Sequence, residues 1–535
     1  MFAFLKLMNN YIKQIKIEGF KKFKDLTVVF DPKMNILVGE NESGKSTILE
    51  AIRVCLCQDY KNSDKSYILD LLNLDLLKNY QTKKTIDTLP KIRITLELEL
   101  DSKLPHSQDF YGEHHCFGKD SRFGIIFECE FDKDYATDLA HDISEGVVPI
   151  EYYTLSWKTF AGMIYNYGRK ALNFVPIDTS ERSGANAINF FAKRLFGTAL
   201  DNSLQMKARN EFRKQIRCSF DALSLPDVSD GRKLAINDKK IPLETVLSVV
   251  EDGVLLENRG KGCENLVKTK IALEKSKSRV DVVAIEEPEN HLSYTNMRKM
   301  IEEIRNRQDG SQIIIATHSN MIVSNLGYSK IVWLEKDSQT VHRMVEQNQD
   351  DEAFFEKADT ARLLDFILAP RVLLVEGPTE YMLLPKMIKL LKNQTNEELG
   401  VSIIACDGIS YKRYLTIAEK MNKRVAVVTD NDGDKSRILS ASKFNMENQN
   451  QHVFIPHDVN QLTWEFCIYD ENKAILDQMF PPAPNAKYVF RGVEHPDTLG
   501  YMLCHKADVA YKMAISDKDF VTPDYVKDAI AWVLE

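Results

Sequence analysis

The chain has 535 residues, a length that predicts three or four folding units, each with its own core, and excludes a single small module. With 44% hydrophobic and 28% charged residues, the composition is that of an ordinary globular protein and fits neither a disordered nor a fibrous class. The formal charge of −8 repels phosphate overall, so any contact with nucleic acid requires a local basic groove.

Membrane insertion and secretion are not expected. The most apolar runs have only the length of strands, and the opening ten residues, with Lys6 among them, lack the features of a signal peptide. We therefore expect a cytoplasmic protein without membrane contact. The nine cysteines include no group with zinc-site spacing, and we interpret them as reduced thiols.

Strand-like and helix-like segments alternate at both ends of the chain, which is typical of parallel α/β units. The alternation is interrupted between about 160 and 235, where Ala187–Phe220 has apolar residues at helical spacing and predicts a helical insertion. A polar run, Glu346–Glu352, precedes a new strand-like segment at Val372–Val375 and predicts a domain boundary.

The segment Gly39–Ser46 matches the phosphate-loop pattern GxxxxGK[ST] and lies between an apolar run and a helix-like run. Its glycines let backbone N–H groups curl around phosphate oxygens, Lys45 bridges the β and γ phosphates, and the Ser46 hydroxyl is a ligand for Mg²⁺. The alternative is a glycine-rich turn that binds nothing. The residues predicted to bind ATP here are Gly39, Asn41, Gly44, Lys45, Ser46 and Thr47.

A second apolar run, Asp281–Ile285, leads into two adjacent carboxylates, Glu286 and Glu287. Two such charges at a strand end are costly unless Mg²⁺ and a water accompany them. We expect Glu286 to belong to the metal shell and Glu287 to orient the attacking water. A third strand-like run, Ile313–Ile315, ends close to His318, where an imidazole would sense the γ phosphate; a lone histidine is more often an ordinary surface residue.

These three strand ends, in this order, resemble the ABC-type ATPase heads of the RecF and SMC group, as does the opening pattern from Ile15 to Phe30. Glu286 departs from the Asp that is usual in that group, and the signature segment is only the degenerate Arg259–Glu264. The resemblance implies that Gly260 and Gly262 contact the γ phosphate bound by a second protomer in an ATP-bridged dimer. The alternative for these glycines is a flexible turn.

A second acidic constellation follows two later strand-like runs. The first run leads into Glu376 and Glu380, and the second leads into Asp430-Asn431-Asp432-Gly433-Asp434. Asp430 and Asp432, spaced i and i+2, are expected to project to one side, and Glu380 is one helical turn from Glu376. Carboxylates that converge without nearby cationic partners require a divalent metal, Mg²⁺ or Mn²⁺, and two such ions suit phosphodiester cleavage. An Asp-Asn-Asp-Gly string alone often marks only a turn.

The EGPTE segment, the spacing and the strand contexts together resemble a Toprim domain. An ABC-type head followed by Toprim resembles the OLD (overcoming lysogenization defect) family of ATP-dependent nucleases. The resemblance implies dimerisation through the insertion, a further metal ligand in Glu465, and a phosphate-stabilising lysine in Lys506. The alternative is a partly exposed glutamate and a surface lysine. Cys406–Gly408 departs from the glycine-rich turn expected at that point.

The predicted fold class is α/β: an ABC-type P-loop ATPase domain with a helical dimerisation insertion, followed by a C-terminal, Rossmann-like Toprim nuclease domain. The predicted boundaries are 1–160 and 236–350 for the ATPase domain, 161–235 for the insertion and 366–535 for the Toprim domain. The residues predicted to act in catalysis are Glu287, His318, Glu376, Asp430, Asp432 and Lys506. The predicted metal ligands are Ser46, Glu376, Glu380, Asp430, Asp432, Asp434 and Glu465.

The main hypothesis is an ATP-regulated, divalent-metal-dependent DNA endonuclease or nickase. The resemblance implies a homodimer or a higher even-numbered homo-oligomer that acts in bacterial defence against phage, often with a second defence component. A topoisomerase would need a tyrosine-bearing strand-passage domain and a primase normally a zinc ribbon, and the chain has the motif of neither. The rival hypothesis is a DNA-binding ATPase clamp in repair or recombination, whose carboxylates are structural.

Overall fold

The computed structural model describes residues 10–535 except for 62, 104, 167–169, 180–191, 194, 198–199, 224, 226–231, 233, 238–239, 274–279, 307–310, 336–339, 344–361, 408–409 and 484–486. The chain divides into two compact units, Met1–Val345 and Glu346–Glu535. Within the described ranges, no helix combines the length and the apolar character needed to cross a bilayer.

The described strands of the first unit are β1 (Tyr11–Phe20), β2 (Phe23–Val29), β3 (Met34–Val38), β4 (Ile92–Glu99), β5 (Tyr111–Gly112), β6 (Arg122–Phe131), β7 (Tyr153–Thr159), β8 (Phe174–Asp178), β9 (Val250–Glu251), β10 (Val254–Leu255), β11 (Val282–Glu286), β12 (Gln312–Ala316), β13 (Ile331–Leu334) and β14 (Val341–Arg343). Its described helices are α1 (Lys45–Cys57), α2 (Ile68–Leu71), α3 (Leu74–Lys83), α4 (Ala140–Glu145), α5 (Asn202–Asp221), α6 (Lys261–Leu273), α7 (Tyr294–Asn306) and α8 (Asn320–Leu326).

An antiparallel sheet in the first unit has the order β2-β1-β4-β6-β5, with β7 also paired to β6. Alternation along β1 buries Ile15 and Ile17 completely and directs Lys16 and Glu18 to the opposite face. The sheet therefore contributes one apolar face to the core, which α1 also joins through Ile48 and Ile52.

The second large sheet of this unit has the order β14-β13-β3-β12-β11-β8, and every pair except β13 with β14 is parallel. Strands β3 and β12 are buried along their whole length, because strands covered on both faces need continuous apolar runs. The side chain of Gln312 is fully buried and joins the two sheets: its amide accepts from Ile12 N at 2.9 Å and donates to Ile12 O at 2.9 Å. The carboxyl ends of β3, β11 and β12 meet at one edge of the sheet.

The predicted start of the helical insertion at residue 161 is wrong, because Phe174–Asp178 forms β8 and pairs in parallel with β11. Its proline, Pro176, makes the segment look unlike a strand, but β8 lies at the edge of the sheet, where a missing N–H is tolerated. Within Ala187–Phe220, the helix α5 begins at Asn202. Residues 187–191, 194 and 198–199 of that stretch, and the polar run Glu346–Glu352, lie outside the described residues.

The described strands of the second unit are β15 (Arg371–Val375), β16 (Val401–Ala405), β17 (Val425–Val428), β18 (Gln451–Phe454), β19 (Tyr488–Phe490) and β20 (Val493–His495). Its described helices are α9 (Leu363–Leu368), α10 (Pro378–Lys392), α11 (Tyr411–Lys420), α12 (Lys435–Glu447), α13 (Trp464–Met479), α14 (Thr498–Cys504), α15 (Lys506–Ile515) and α16 (Asp524–Leu534). The four-stranded sheet β16-β15-β17-β18 is entirely parallel, and β19 and β20 form a separate hairpin.

The core of the second unit lies between this sheet and the later helices. Leu373 and Val375 of β15 pack in one cluster with Trp464 of α13 and Ala529 of α16. Because β15 and β17 are neighbouring parallel strands, the residues that follow them, Glu376 and Thr429, emerge side by side at one sheet edge.

Candidate functional site

The phosphate loop follows β3 and opens α1, as its pattern predicts. Gly44 has a φ of 103°, and a Cβ there would lie 2.2 Å from the ring of Phe23, so only glycine fits. The Lys45 ammonium donates to the carbonyls of Gly39 and Glu40, at 2.9 and 3.1 Å. Burial lowers the pKa of Lys45 to about 8, against the opposing charges of Glu287 and its neighbours. In the phosphate loop, the Lys45 ammonium therefore bonds to neutral carbonyls and not directly to a carboxylate.

Glu286 and Glu287 stand at the end of β11, beside the phosphate loop. Burial raises the pKa of Glu286, and a hydrogen bond from Ser46 opposes that shift. This contact brings together the two residues predicted to share the Mg²⁺ shell. Glu287 has a φ of 44°, and the hydroxyl of Thr179 lies 2.8 Å from the carbonyl of Glu286 and 2.5 Å from that of Glu287, so the strained turn is held in place.

His318 lies next to Glu287, with 3.7 Å between Nε2 and Oε1. Burial and the charge of Lys45 lower its pKa. The backbone N–H of His318 donates to Glu289 Oε1 at 2.8 Å, and the hydroxyl of Thr317 donates to the same oxygen at 2.8 Å. The other oxygen, Glu289 Oε2, is buried without a hydrogen-bond partner among the described residues. Glu289 was not among the predicted site residues, although it lies only three residues after Glu286.

The two glycines of the degenerate signature segment differ. A Cβ on Gly260 would meet open space, whereas one on Gly262 would lie 2.2 Å from the carbonyl oxygen of His291. Close packing within the first unit therefore explains why a glycine is needed at position 262. Arg259 beside them pairs with Glu251, with 3.2 Å between Nη1 and Oε2. Asn41 and Ser46 are exposed, and Thr47 is partly exposed.

At the edge of the parallel sheet in the second unit, Glu376 and Asp430 are joined through the backbone. The N–H of Asp430 donates to Glu376 Oε1 at 3.2 Å, and the hydroxyl of Thr429 donates to the same oxygen. Asp430 Oδ1 in turn accepts from the N–H of Trp464 at 2.9 Å. Burial, together with the charges of Glu376 and Glu380, raises the pKa of Asp430 to about 8.

Glu380 and Glu465 complete this acidic cluster. Glu380 is 7% exposed, and burial with the charges of Glu465 and Glu376, against its backbone hydrogen bonds, raises its pKa to about 7. Glu465 is 4% exposed, and its Oε2 accepts from Lys506 Nζ at 2.8 Å and from Thr463 Oγ1 at 2.6 Å. Glu465 and Lys506, 41 residues apart in sequence, thus meet beside the acids of the first two strands.

The expectation that these acids lack cationic partners is wrong for Asp432, and also for Glu376, whose Oε1 lies 3.6 Å from Arg437 Nη2. The Asp432 carboxylate pairs with Arg437 of α12 and with Arg491 from the turn between β19 and β20. Strand β17 ends at Val428 and Asp432 has a φ of 54°, so the i, i+2 alternation of a strand does not extend to it. Asp434 is exposed and caps α12, accepting from Ser436 N at 2.8 Å. In the segment Cys406–Gly408, which departs from the expected glycine-rich turn, Cys406 is buried and Gly408 lies outside the described residues.

No three His, Cys, Asp or Glu side chains in the described part of the chain are arranged as a preformed metal site. The donor set nevertheless fits a hard divalent cation: the oxygens of Glu376, Glu380, Asp430 and Glu465 lie close together, and the charges of Glu376 and Glu465 add to burial in raising the pKa values of Glu380 and Asp430. A cation among them would relieve that repulsion. Asp432 would join such a set only after exchanging its guanidinium partners.

Family models match three segments. The model described as overcoming lysogenization defect protein-like, TOPRIM domain, matches residues 367–432, which contain Glu376, Glu380 and Asp430. An AAA-domain model matches residues 14–141, and a second, whose description names the AbiEii toxin of a type IV toxin–antitoxin system, matches 255–324. The chain therefore carries an OLD-like Toprim domain that follows two AAA-type segments. An ABC-type ATPase fold followed by a Toprim domain, as predicted from the sequence, is confirmed for this chain.

Curated relatives match the chain over very different lengths. It is 20% identical to endonuclease GajA from Bacillus cereus over 441 residues, which are 78% of this chain and 74% of GajA. It is 54% identical to the chromosome segregation protein sudA from Emericella nidulans over 52 residues, so it spans only 4% of that protein. The solved C-terminal region of the Xanthomonas campestris pv. campestris OLD protein is 16% identical, with a TM-score of 0.22, 30% coverage of this chain and 93% of that one.

Three residues at these sites could not be recognised from the sequence alone. Arg437 lies in the first turn of α12, directly after an acidic string, and an arginine in such a place is usually exposed to solvent and unpaired. Arg491 reaches Asp432 from 59 residues away, and only the folded hairpin brings them together. Asp178, whose charge raises the pKa of Glu286, lies at the end of β8, the strand that the sequence analysis assigned to the insertion.

Proposed function

We propose that this protein is an ATP-regulated, divalent-metal-dependent DNA endonuclease or nickase, with its nuclease chemistry in the Toprim unit. The observation that carries the proposal is the acidic cluster of Glu376, Glu380, Asp430 and Glu465 at adjacent strand ends, with Lys506 bound to its rim. Buried acids with raised pKa values are unfavourable without a counter-charge, so their presence supports a role in binding a cation.

Each residue of the cluster has a separate task in this proposal. Glu376, Glu380 and Asp430 would hold divalent metal, which supplies charge stabilisation for phosphodiester hydrolysis when it is bound. Thr429 and the N–H of Asp430 orient the Glu376 carboxylate, and the N–H of Trp464 orients Asp430. Lys506, held by Glu465, supplies a positive charge for the phosphate. Asp432, paired with Arg437 and Arg491, links the cluster to two cations that suit an anionic strand.

In the first unit, the phosphate loop would bind ATP with Mg²⁺. Lys45 would exchange the carbonyls of Gly39 and Glu40 for phosphate oxygens, which restores a full counter-charge to a buried ammonium. Glu287, held beside His318, is positioned to orient a water, while Ser46 and Glu286 would share the Mg²⁺ shell. Regulation of cleavage by nucleotide then requires a conformational equilibrium that couples the two units.

The assembly and the biological role are also proposals. The likeness to ATPase heads supports an even-numbered homo-oligomer in which Gly260 faces the nucleotide of a second copy. Light scattering with and without ATP tests this, and a monomer under both conditions would contradict it. A cytoplasmic role in bacterial defence against phage, with a second defence component, follows from the OLD resemblance.

The decisive experiment is a plasmid-nicking assay with Mg²⁺ or Mn²⁺, comparing the full-length wild type with Asp430→Ala. We expect metal-dependent nicking by the wild type, its loss with EDTA, and its loss in the variant. Asp434→Ala is the matched control, because Asp434 lies in the same acidic string but caps a helix in solvent. Equal nicking by purified Asp430→Ala would favour a DNA-binding ATPase clamp.

A further inference from the structure

A groove in the Toprim unit lies between α11, α12 and β18 and has a volume of about 730 Å³. This volume falls within the roughly 300–1,000 Å³ of small-ligand sites. The groove has no part in the chemistry described above, but one of its lining residues, Arg437, also pairs with Asp432 and lies 3.6 Å from Glu376 Oε1. The groove therefore opens next to the acidic cluster.

The end of the groove near the cluster carries positive charge and hydroxyl groups. Arg437 and Lys412 supply the cations, and Ser410, Tyr411 and Ser436 supply the hydroxyls. Burial raises the pKa of Tyr411, and the charges of Arg437 and Glu376 also act on it, which places this ring at the same end. Cations together with hydroxyl donors suit a phosphate group.

The middle and the far end of the groove have a different chemistry. Its apolar lining includes Leu415, Phe444 and Val453. Arg437 and Glu447 are ten residues apart on α12, so the groove extends about 15 Å at the 1.5 Å rise of a helix. Gln451 lies toward the far end, at the start of β18, whereas Arg437 lies near the carboxyl ends of the strands.

Gln451 is the polar side chain that distinguishes the far part of the groove. Its side chain is only 5% exposed and lines the groove, yet no hydrogen bond among the described residues uses its amide. An amide that lines a groove and bonds no protein group is available to a ligand that enters the groove. An amide that both donates and accepts suits the hydrogen-bonding edge of a nucleobase.

We propose that this groove binds one unpaired nucleotide of the substrate strand, next to the phosphate that the cluster cleaves. The phosphate lies at Arg437, the base packs on Phe444, and Gln451 pairs with the base edge. A base that is still paired has this edge occupied, so the groove selects strands with an unpaired or flipped nucleotide at the cleavage site. The inference rests on the proposed nuclease function and adds its substrate class.

The test uses the full chain with a duplex oligonucleotide that has one unpaired nucleotide, a fully paired duplex, and a duplex with an abasic residue at the unpaired position. Cleavage is mapped, and kcat/KM is measured for each substrate. For the wild type we expect removal of the unpaired base to lower kcat/KM by about tenfold, since stacking of a base on an aromatic ring contributes this order. Full pairing should lower it similarly.

Phe444→Ala and Gln451→Glu should remove the dependence on the base, while the metal requirement is unchanged. Met446→Ala is the matched control, because Met446 lies on the same helix, is 87% exposed and does not line the groove. Gln451→Glu keeps the side-chain shape, so a folding defect is not expected, and circular dichroism checks it.

Two results would overturn the proposal: wild-type cleavage that changes less than twofold with the abasic substrate, or Phe444→Ala that still distinguishes the substrates. Competition by a free nucleoside monophosphate, with no effect of the abasic residue, would assign the groove to a free nucleotide and also overturn it. If the wild type shows no metal-dependent cleavage, the proposed function fails separately. The groove is then tested by fluorescence anisotropy with the same oligonucleotides, where preference for the unpaired base is still expected.

Discussion

The phosphate loop of the first unit and the acidic cluster of the second unit are electrostatic opposites. In the loop, a buried ammonium, Lys45, is satisfied by neutral carbonyls, and its pKa is lowered to about 8. In the cluster, Asp430 and Glu380 are carboxyls with pKa values raised to about 8 and about 7. In both places burial disfavours the charged form. The difference in sign indicates that one site is built to receive an anion and the other to receive a cation.

The largest expected effects come from removing the central charge of each site. Asp430→Ala should lower metal-dependent nicking by about 10³-fold or more, because metal binding supplies several kcal/mol of charge stabilisation. Lys45→Ala should weaken ATP binding by at least about 100-fold, since charged hydrogen bonds to phosphate are lost. Nicking assays and equilibrium binding of a fluorescent ATP analogue measure the two effects.

Each of these variants should leave the other site's ligand binding within about twofold of the wild type, because the two sites share no residue. Loss of ATP binding in Asp430→Ala would show that the sites are not separable. Lys45→Ala is expected to alter regulation of nicking by nucleotide and to retain its metal requirement.

A smaller effect is expected from Glu287→Gln, which keeps the size of the side chain. ATP binding should remain near the wild-type level, while hydrolysis falls by about 10²–10⁴-fold, the usual contribution of a positioned base. Phosphate release under single-turnover conditions measures the change. Hydrolysis at the wild-type rate would remove Glu287 from the proposed role.

Stability of the two loops should also differ. Gly44→Ala combines a φ of 103° with a Cβ 2.2 Å from Phe23, and should cost about 2–4 kcal/mol. Gly433→Ala has a φ of 80°, but its Cβ would meet other atoms only at 3.8 Å or more, so it should cost about 1 kcal/mol. Thermal melts followed by fluorescence give the order of the two variants. Equal melting temperatures would mean that Phe23 moves aside without cost.

The smallest expected effect concerns the cations on Asp432. Arg491→Ala should strengthen Mn²⁺ binding in the absence of DNA by less than about fivefold, because a partly exposed pair contributes at most about 1 kcal/mol. Arg491→Lys, which keeps the charge, is the control. Manganese titration followed by electron paramagnetic resonance measures the affinity. Weaker binding in Arg491→Ala would mean that this arginine organises the acids and does not compete with metal.

Parts of both sites could be predicted from the sequence because their residues belong to continuous local patterns. The phosphate loop is a continuous pattern whose glycines are imposed by backbone geometry, and Glu376 and Asp430 follow buried apolar runs that neighbour each other in a parallel sheet. The predicted orientation of Asp432 was wrong because it assumed that the alternation of a strand continues to this residue. Asp432 itself has a left-handed backbone conformation, which ends that alternation. Arg491 and Gln451 could not be assigned, since the hairpin contact of Arg491 and the groove that Gln451 lines exist only after folding. The edge strand β8 was not predicted because it contains Pro176, and proline is unusual within strands.

The link made by Gln312 has a consequence for how the first unit forms. Its amide bonds to a backbone 300 residues earlier, and β3, which presents the phosphate loop, has both of its sheet neighbours in β12 and β13. Contacts of such sequence separation are entropically expensive to close and slow to form. The nucleotide site therefore matures late during synthesis, after the residues of β13 have emerged. A short N-terminal fragment that contains Gly39–Ser46 should not bind ATP, and domain dissection needs to retain the entire first unit.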